Sequence, residues 1–143
     1  MKLCCVTYKD NFSSGGKAIN DLRIGQEKSV VGCGSTVFGS LDKGDLVLIN
    51  AEEHKVRHVI IGVIEERLDR CDAWKHEGGA SWAHNFTYKP LTPMFTVDDG
   101  LRVAIEAIAK KLDINKHNVF NSRFCSIKCK EIVDMLVERH PLV

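Results

Sequence analysis

The chain has 143 residues, of which 44% are hydrophobic and 27% are charged, and its net charge is +1. This length suits one domain, predicted to span residues 1–143, which can bury a core without metal or disulfide cross-links. The near-neutral charge excludes an overall field that would draw the protein to nucleic acid or to an anionic membrane, so any such contact needs a local basic patch. Residues 1–8 are too short for a secretory signal and no apolar run could span a bilayer, so we expect no membrane contact, a cytoplasmic location and six cysteines present as thiols.

Five strands are predicted along the chain. Apolar and β-branched runs place them at residues 3–8, 45–50, 56–66, 85–89 and 94–97. The polar residues 51–55 are predicted to form the hairpin loop between the second and third strands. Gly62, inside the third strand, indicates a bulge or the close approach of another group.

The connection between the first two predicted strands, residues 9–44, is long. It contains a predicted short helix near residues 18–22 and then the stretch VVGCGSTVFGS at residues 30–40. This stretch lacks the GxxxxGK[ST] pattern of a phosphate-binding loop. Its glycines would let a ligand approach the backbone, and its hydroxyl groups could bind that ligand, but a flexible turn explains the same composition.

The last third of the chain has helical periodicity. An N-cap signal at residues 96–99 precedes apolar residues spaced along one helix face, at Leu101, Ala104, Ile105, Ile108 and Leu112. A second helix is predicted to begin at Ser126, with the inward face Cys129, Ile132, Val133, Leu136 and Val137. Strands followed by helices predict an α+β fold.

The stretch CDAWKHEGGASWAHNFTYKPLTP, residues 71–93, contains both tryptophans of the chain. Its glycines and prolines disfavour a helix. Aromatic rings displayed beside lysine and histidine can stack on nucleic-acid bases while the basic groups contact phosphate. The alternative is that the same rings fill the hydrophobic core, as aromatic side chains usually do.

Two motifs resemble the PUA-like superfamily, and within it the EVE and YTH type of domain. Lys43-Gly44-Asp45 resembles the turn that precedes one barrel strand, and Ile61-Gly62-Val63-Ile64-Glu65 resembles the glycine-bearing strand that follows. Asp69, Asp72, Trp74 and Tyr88 stand where the family has its acidic and aromatic segment. The resemblance covers residues 1–97 and implies a small EVE-like β-barrel, on which residues 98–143 would pack as a C-terminal helical extension.

The resemblance implies a nucleic-acid-binding module whose aromatic pocket reads a modified or flipped base in DNA or RNA. The tryptophan-bearing loop would form one wall of this pocket, and the Gly-Ser-Thr segment would form the opposite wall. The candidate base-stacking residues are Trp74, Trp82 and Tyr88; those for the base edge are Ser35, Thr36 and Asn85; those near phosphate are Lys75, His84 and Lys89. No cofactor, metal ion or catalytic residue is expected.

Two other functions stay open. A nuclease or a hydrolase of modified nucleotides could use the same pocket, with His76, His84 and Asp72 as candidates for base and metal ligands. A protein-interaction or inhibitor domain could instead dock onto a partner through the aromatic loop or the C-terminal helices. A catalytic thiol at Cys33 is less expected than an inert buried one.

Overall fold

The computed structural model describes residues 1–10, 17–33, 35–68 and 84–142. Its strands are β1 (Leu3–Tyr8), β2 (Val30–Cys33), β3 (Leu46–Glu53), β4 (Val56–Leu68), β5 (His84–Pro90) and β6 (Phe95–Thr96). Its helices are α1 (Ala18–Lys28), α2 (Ser35–Ser40), α3 (Asp99–Lys111) and α4 (Lys130–Arg139), with short 3₁₀ helices at Lys116–Asn118 and Ile127–Cys129. All five predicted strands are present. The alternative of a flexible turn at residues 30–40 is wrong, because residues 30–33 form β2 and residues 35–40 form α2.

The strands form one curled sheet in the order β1-β3-β4-β5-β2, with β6 paired to β4. β1 runs parallel to β3, and the other paired strands are antiparallel. The loop predicted at residues 51–55 is shorter than expected, because β3 and β4 continue up to a two-residue turn at His54 and Lys55. The α+β class is therefore confirmed, in the form of a half-barrel sheet with helices packed on it.

Tyr8 links the two terminal strands of this sheet. Its hydroxyl group donates to the carbonyl of Gly32 at 2.9 Å and accepts from the N–H of the same residue at 3.2 Å. Burial raises the pKa of the Tyr8 phenol well above its ordinary value, so the hydroxyl keeps the proton that it donates. One side chain thus joins β1 to β2 and helps to close the curl.

Both faces of the central strands are buried, because helices cover each face. Successive residues of β3 point to opposite sides, so that Leu46 and Leu48 lie on one face and Val47 and Ile49 on the other. The first face packs against α3 and α4, and the second packs against α1. The C-terminal helices therefore share a hydrophobic core with the sheet.

The Lys43-Gly44-Asp45 turn fixes the start of the sheet. The Asp45 carboxylate accepts from the backbone N–H of Lys2 at 2.9 Å and from that of Asp42 at 2.8 Å. Gly44 has a φ of 90°, which a side chain would disfavour, and its N–H donates to the carbonyl of Ile64. These bonds join the beginning of β1 and the turn before β3 to the middle of β4.

Gly62 gives the ring of Tyr88 room to cross β4. A Cβ atom at this position would lie 2.5 Å from Cδ2 of Tyr88 and 3.0 Å from the carbonyl oxygen of Lys89, which is too close for non-bonded atoms. The predicted close approach is confirmed, and the group that approaches is the Tyr88 ring. The register shift of β4 against β5 lies further along, between Ile64 and Glu66.

Replacing Tyr8 with Phe should test the link between the terminal strands. The substitution leaves two buried backbone groups of Gly32 without this partner, so we expect the free energy of unfolding to fall by roughly 2–4 kcal/mol. Urea denaturation followed by circular dichroism measures it. Tyr88→Phe is the matched control: it removes one long bond, 3.4 Å, to the carbonyl of Gly25 and should cost no more than about 1 kcal/mol. Equal losses in the two variants would contradict the assigned role of Tyr8.

Candidate anion-binding cleft

A cleft with a volume of about 660 Å³ lies between the sheet and the segment that follows α3. This volume is in the range of pockets that hold small ligands. We call it the basic cleft, and its lining residues are Thr7, Lys9, Glu52, Lys55, Arg57, Val97, Arg102, Ile105, Glu106, Lys116, His117, Phe120, Asn121 and Ser122. It gathers the end of β1, the β3–β4 turn, one side of α3 and the 3₁₀ helix at Lys116–Asn118.

Positive charge exceeds negative charge in this cleft. The basic side chains number five and the carboxylates two, which leaves an excess of three positive charges with histidine neutral. The whole chain carries only +1. A nearly neutral chain needs a local basic patch to bind a polyanion, and folding creates such a patch here. The five basic residues are Lys9, Lys55, Arg57, Arg102 and Lys116.

The two carboxylates neutralise part of this charge through exposed ion pairs. Glu52 lies 3.1 Å from Arg57, and Glu106 lies 3.3 Å from Lys116. Such exposed pairs are weak and can be exchanged for a stronger anion at little cost. Within the described residues, the cleft side chains of Lys9 and Lys55 form no ion pair, so their ammonium groups are available to a ligand.

The guanidinium group of Arg57 is held in place from inside the protein. Its Nη1 donates to Oδ1 of Asn50, and its planar group lies 5.4 Å from the centre of the Phe120 ring. Asn50 is fully buried, and its Nδ2 donates to Cys5 Sγ at 3.1 Å, to the Val6 carbonyl at 3.3 Å and to Thr7 Oγ1 at 3.2 Å. Arg57 is therefore pre-positioned, which reduces the entropy lost when it binds an anion.

Thr7 attaches the opposite wall of the cleft to the sheet. Its hydroxyl group donates to the backbone carbonyl of Phe120 at 2.9 Å. Phe120 is followed by Asn121 and Ser122, which also line the cleft. The amide and hydroxyl of these two residues can donate hydrogen bonds to an anionic ligand.

Lys55 occupies a strained turn at the rim of the cleft. His54 and Lys55 have φ values of 52° and 64°, the left-handed region that costs a residue with a side chain roughly 1–2 kcal/mol. Hairpin turns of this kind usually use Asn-Gly. His54 and Lys55, which both have large side chains, occupy these positions instead, and Lys55 lines the cleft.

The structure places the sequence-predicted residues of β5 in different environments. Tyr88 is buried against Gly62, and burial raises its pKa to about 12, so its ring is part of the core. Asn85 is also buried, His84 is half-buried and Lys89 is exposed. Their predicted roles with nucleic acid stay predictions.

The remaining predicted residues lie wholly or partly outside the described part of the structure. Ser35 and Thr36 begin α2, but their side chains are outside the described part of the structure. Trp74, Lys75 and Trp82 lie outside the described residues altogether, as do Asp72 and His76, the candidates for an enzyme.

The pairing of β2 with β5 brings two parts of the predicted aromatic pocket together. Gly32 lies opposite Asn85, and Cys33 lies opposite His84. The basic cleft is elsewhere, because Arg57 precedes the end of β4 by eleven residues, which is up to about 36 Å of extended chain. The paired ends of β2 and β5 therefore lie apart from the basic cleft.

The other chemical features weighed from the sequence can be placed as well. Burial raises the pKa of the Cys33 thiol to about 12, so it stays protonated at neutral pH, as an inert core cysteine does. Among the described residues, no cluster of three or more histidine, cysteine or acidic side chains is arranged to hold a metal ion. No described helix is both long and apolar enough to cross a bilayer.

Asn50→Leu should show how strongly the cleft depends on the buried amide. The substitution keeps the number and branching of the side-chain heavy atoms but removes every hydrogen bond of Asn50, so we expect the free energy of unfolding to fall by about 2–3 kcal/mol. Glu52→Gln is the control, since it weakens only an exposed pair with Arg57 and should cost less than about 0.5 kcal/mol. Urea denaturation of both variants makes the comparison, and a smaller loss for Asn50→Leu than for Glu52→Gln would contradict this role.

The sequence matches no protein-family model, and no characterised protein is significantly similar to it.

Proposed function

We propose that the protein is a nucleic-acid-binding module and that the basic cleft holds phosphate groups of the bound strand. The observation that supports this proposal is the concentration of five basic side chains, with an excess of three positive charges, around one cleft of a nearly neutral chain. Contacts to phosphate supply most of the affinity of non-specific nucleic-acid binding. Lysine and arginine are the side chains that most often provide them.

The arrangement assigns different tasks to the basic groups. Lys9 and Lys55 are exposed and would meet phosphate as mobile point charges. Arg57 is fixed by Asn50 and presents a planar fork that suits two phosphate oxygens. These contacts carry no base preference, so the cleft would position a strand without reading its sequence.

Base recognition in the proposal belongs to the predicted aromatic pocket. We propose a PUA-like barrel, in which Trp74 and Trp82 stack on a modified or flipped base near the paired ends of β2 and β5. The support is the register of these strands, which sets His84 and Asn85 beside the glycine-bearing segment. The nucleic acid can be DNA or RNA, since phosphate contacts do not distinguish them.

The double variant Lys9→Gln/Lys55→Gln tests the cleft. Both lysines are replaced without changing the core, so we expect weaker binding of a fluorescent single-stranded oligonucleotide by about tenfold, or about 1.4 kcal/mol. Fluorescence anisotropy at several salt concentrations should also show the slope of log K against log salt reduced by about 1–2, as the loss of two phosphate contacts requires.

A control variant of equal charge, Lys43→Gln/Lys110→Gln, replaces two exposed lysines outside the cleft. It should retain nearly the wild-type affinity. Equal weakening in both double variants would show that only overall charge matters, and wild-type protein that binds no oligonucleotide at low salt would overturn the proposed function.

A further inference from the structure

The basic cleft lies inside a closed ring of structural elements. The backbone N–H of Val97 donates to the carbonyl of Arg57 at 3.0 Å, which joins β4 to the chain that leads into α3. Residues 112–115 connect α3 to the segment that forms the opposite wall. The Thr7 hydroxyl joins this segment back to β1 at the carbonyl of Phe120. Because β1 and β4 belong to one sheet, the ring is complete.

Apolar residues form the floor of this ring. Val97 and Ile105 are buried in the core between the sheet and the C-terminal helices, and Phe120 packs against the same core. All three also line the cleft. The cleft is therefore bounded around its sides and below, and its volume of about 660 Å³ suits one small ligand. A strand that passes through a site needs a way in and a way out, whereas the end of a strand can enter a cleft of this shape.

The charge in the cleft exceeds what one internal phosphate can match. Each internal phosphate of a strand carries a single negative charge. The cleft has five basic side chains against two carboxylates, an excess of three positive charges. A phosphate monoester, the group at a phosphorylated strand end, carries about 1.5 to 2 negative charges at neutral pH and offers three strong acceptor oxygens. A terminal phosphate therefore complements the cleft better than an internal one.

We propose that the basic cleft binds the phosphorylated end of a nucleic-acid strand and that one terminal nucleotide enters it. Arg57, once its exposed pair with Glu52 opens, would contact two oxygens of the terminal phosphate through its planar group. The exposed Lys9, Lys55 and Arg102 would surround the phosphate, and the sugar and base would lie on the apolar floor. This inference rests on the proposed function, because it specifies which part of the strand the cleft holds.

Competition between strands that differ only at their ends tests the inference. An internally labelled oligonucleotide is bound first, and unlabelled strands of one sequence then displace it: a 5′-phosphorylated strand, a 3′-phosphorylated strand, a strand with hydroxyl groups at both ends, and a circular strand. We expect at least one phosphorylated strand to bind about tenfold more tightly than the hydroxyl-ended strand, because it adds charge-assisted hydrogen bonds. The circular strand should bind no better than the hydroxyl-ended one, since it has no end to insert.

The outcomes separate this inference from the proposed function. Equal affinities for all four strands, or a circular strand that binds as tightly as the phosphorylated ones, would overturn the inference and leave the proposed function standing. Failure of every strand to bind at low salt would overturn the proposed function and the inference with it. Comparison of the 5′ and 3′ phosphates shows which end of the strand enters the cleft.

Arg57→Lys tests the contact to the terminal phosphate. Lysine keeps the charge but lacks the planar fork, so we expect the ratio of affinities for phosphorylated and hydroxyl-ended strands to fall several-fold. Arg67→Lys is the matched control. Arg67 also lies on β4, donates to the Leu41 carbonyl at 2.8 Å and lies 5.7 Å from the centre of the Phe86 ring, but it does not line the cleft, so the ratio should be retained. A fall in both variants, or in neither, would overturn the assigned contact.

Arg102→Gln keeps the inference testable if Arg57→Lys proves unstable. Arg102 is exposed on α3 at the cleft, so its replacement leaves the core intact, and we expect the same ratio to fall several-fold. Arg23→Gln removes the same charge from an exposed position on α1 and should retain the ratio. An unchanged ratio in Arg102→Gln would place the strand end outside the cleft and overturn the inference.

Discussion

The buried amide of Asn50 is the interaction on which the cleft depends. A fully buried polar side chain must find hydrogen-bond partners inside the protein, because leaving them unmade is costly. Asn50 meets this requirement by bonding three consecutive residues of β1 on one side and Arg57 of β4 on the other. The same bonds that satisfy the amide also fix the guanidinium group at the edge of the cleft.

Side chains of strand β1 contact three different parts of the protein, because they alternate between the two faces of the sheet. Cys5 points to the core between the sheet and the C-terminal helices, where its sulfur accepts a hydrogen bond from Asn50. Thr7 holds the wall of the cleft at Phe120. Tyr8 reaches across to Gly32 and links the terminal strands of the sheet. A short strand at the end of the sheet thereby connects the core, the cleft and the opposite edge of the sheet.

The local sequence pattern predicted most of the strands and helices. Runs such as LVLIN and VIIGVI are rich in β-branched residues, and the apolar face of α3 has helical spacing, so each signal lies within its own element. The glycines in the stretch at residues 30–40 favour a turn. Gly32 instead lies within β2, where its backbone N–H and carbonyl both form hydrogen bonds with the Tyr8 hydroxyl. The residues around Gly32 in the sequence do not indicate this long-range contact. Gly62 did indicate from the sequence that another group approaches β4 closely. That this group is the ring of Tyr88 follows only from the register of β4 and β5.

The basic cleft could not be predicted in the same way. Its lysines and arginines come from the residue after β1, the β3–β4 turn, β4, α3 and the segment after α3, and along the sequence they are scattered among acidic residues. Only the fold brings them together, and only then does a chain of net charge +1 acquire a strongly positive surface.

Nuclear magnetic resonance tests the central claim, that nucleic acid is held at the basic cleft, most directly. A single-stranded oligonucleotide would be titrated into ¹⁵N-labelled protein while the backbone amide signals are followed. The account predicts that signals of Lys9, Lys55, Arg57 and residues 116–122 shift with the same saturation curve. Saturating shifts confined to residues 69–89, with the cleft signals unmoved, would contradict it.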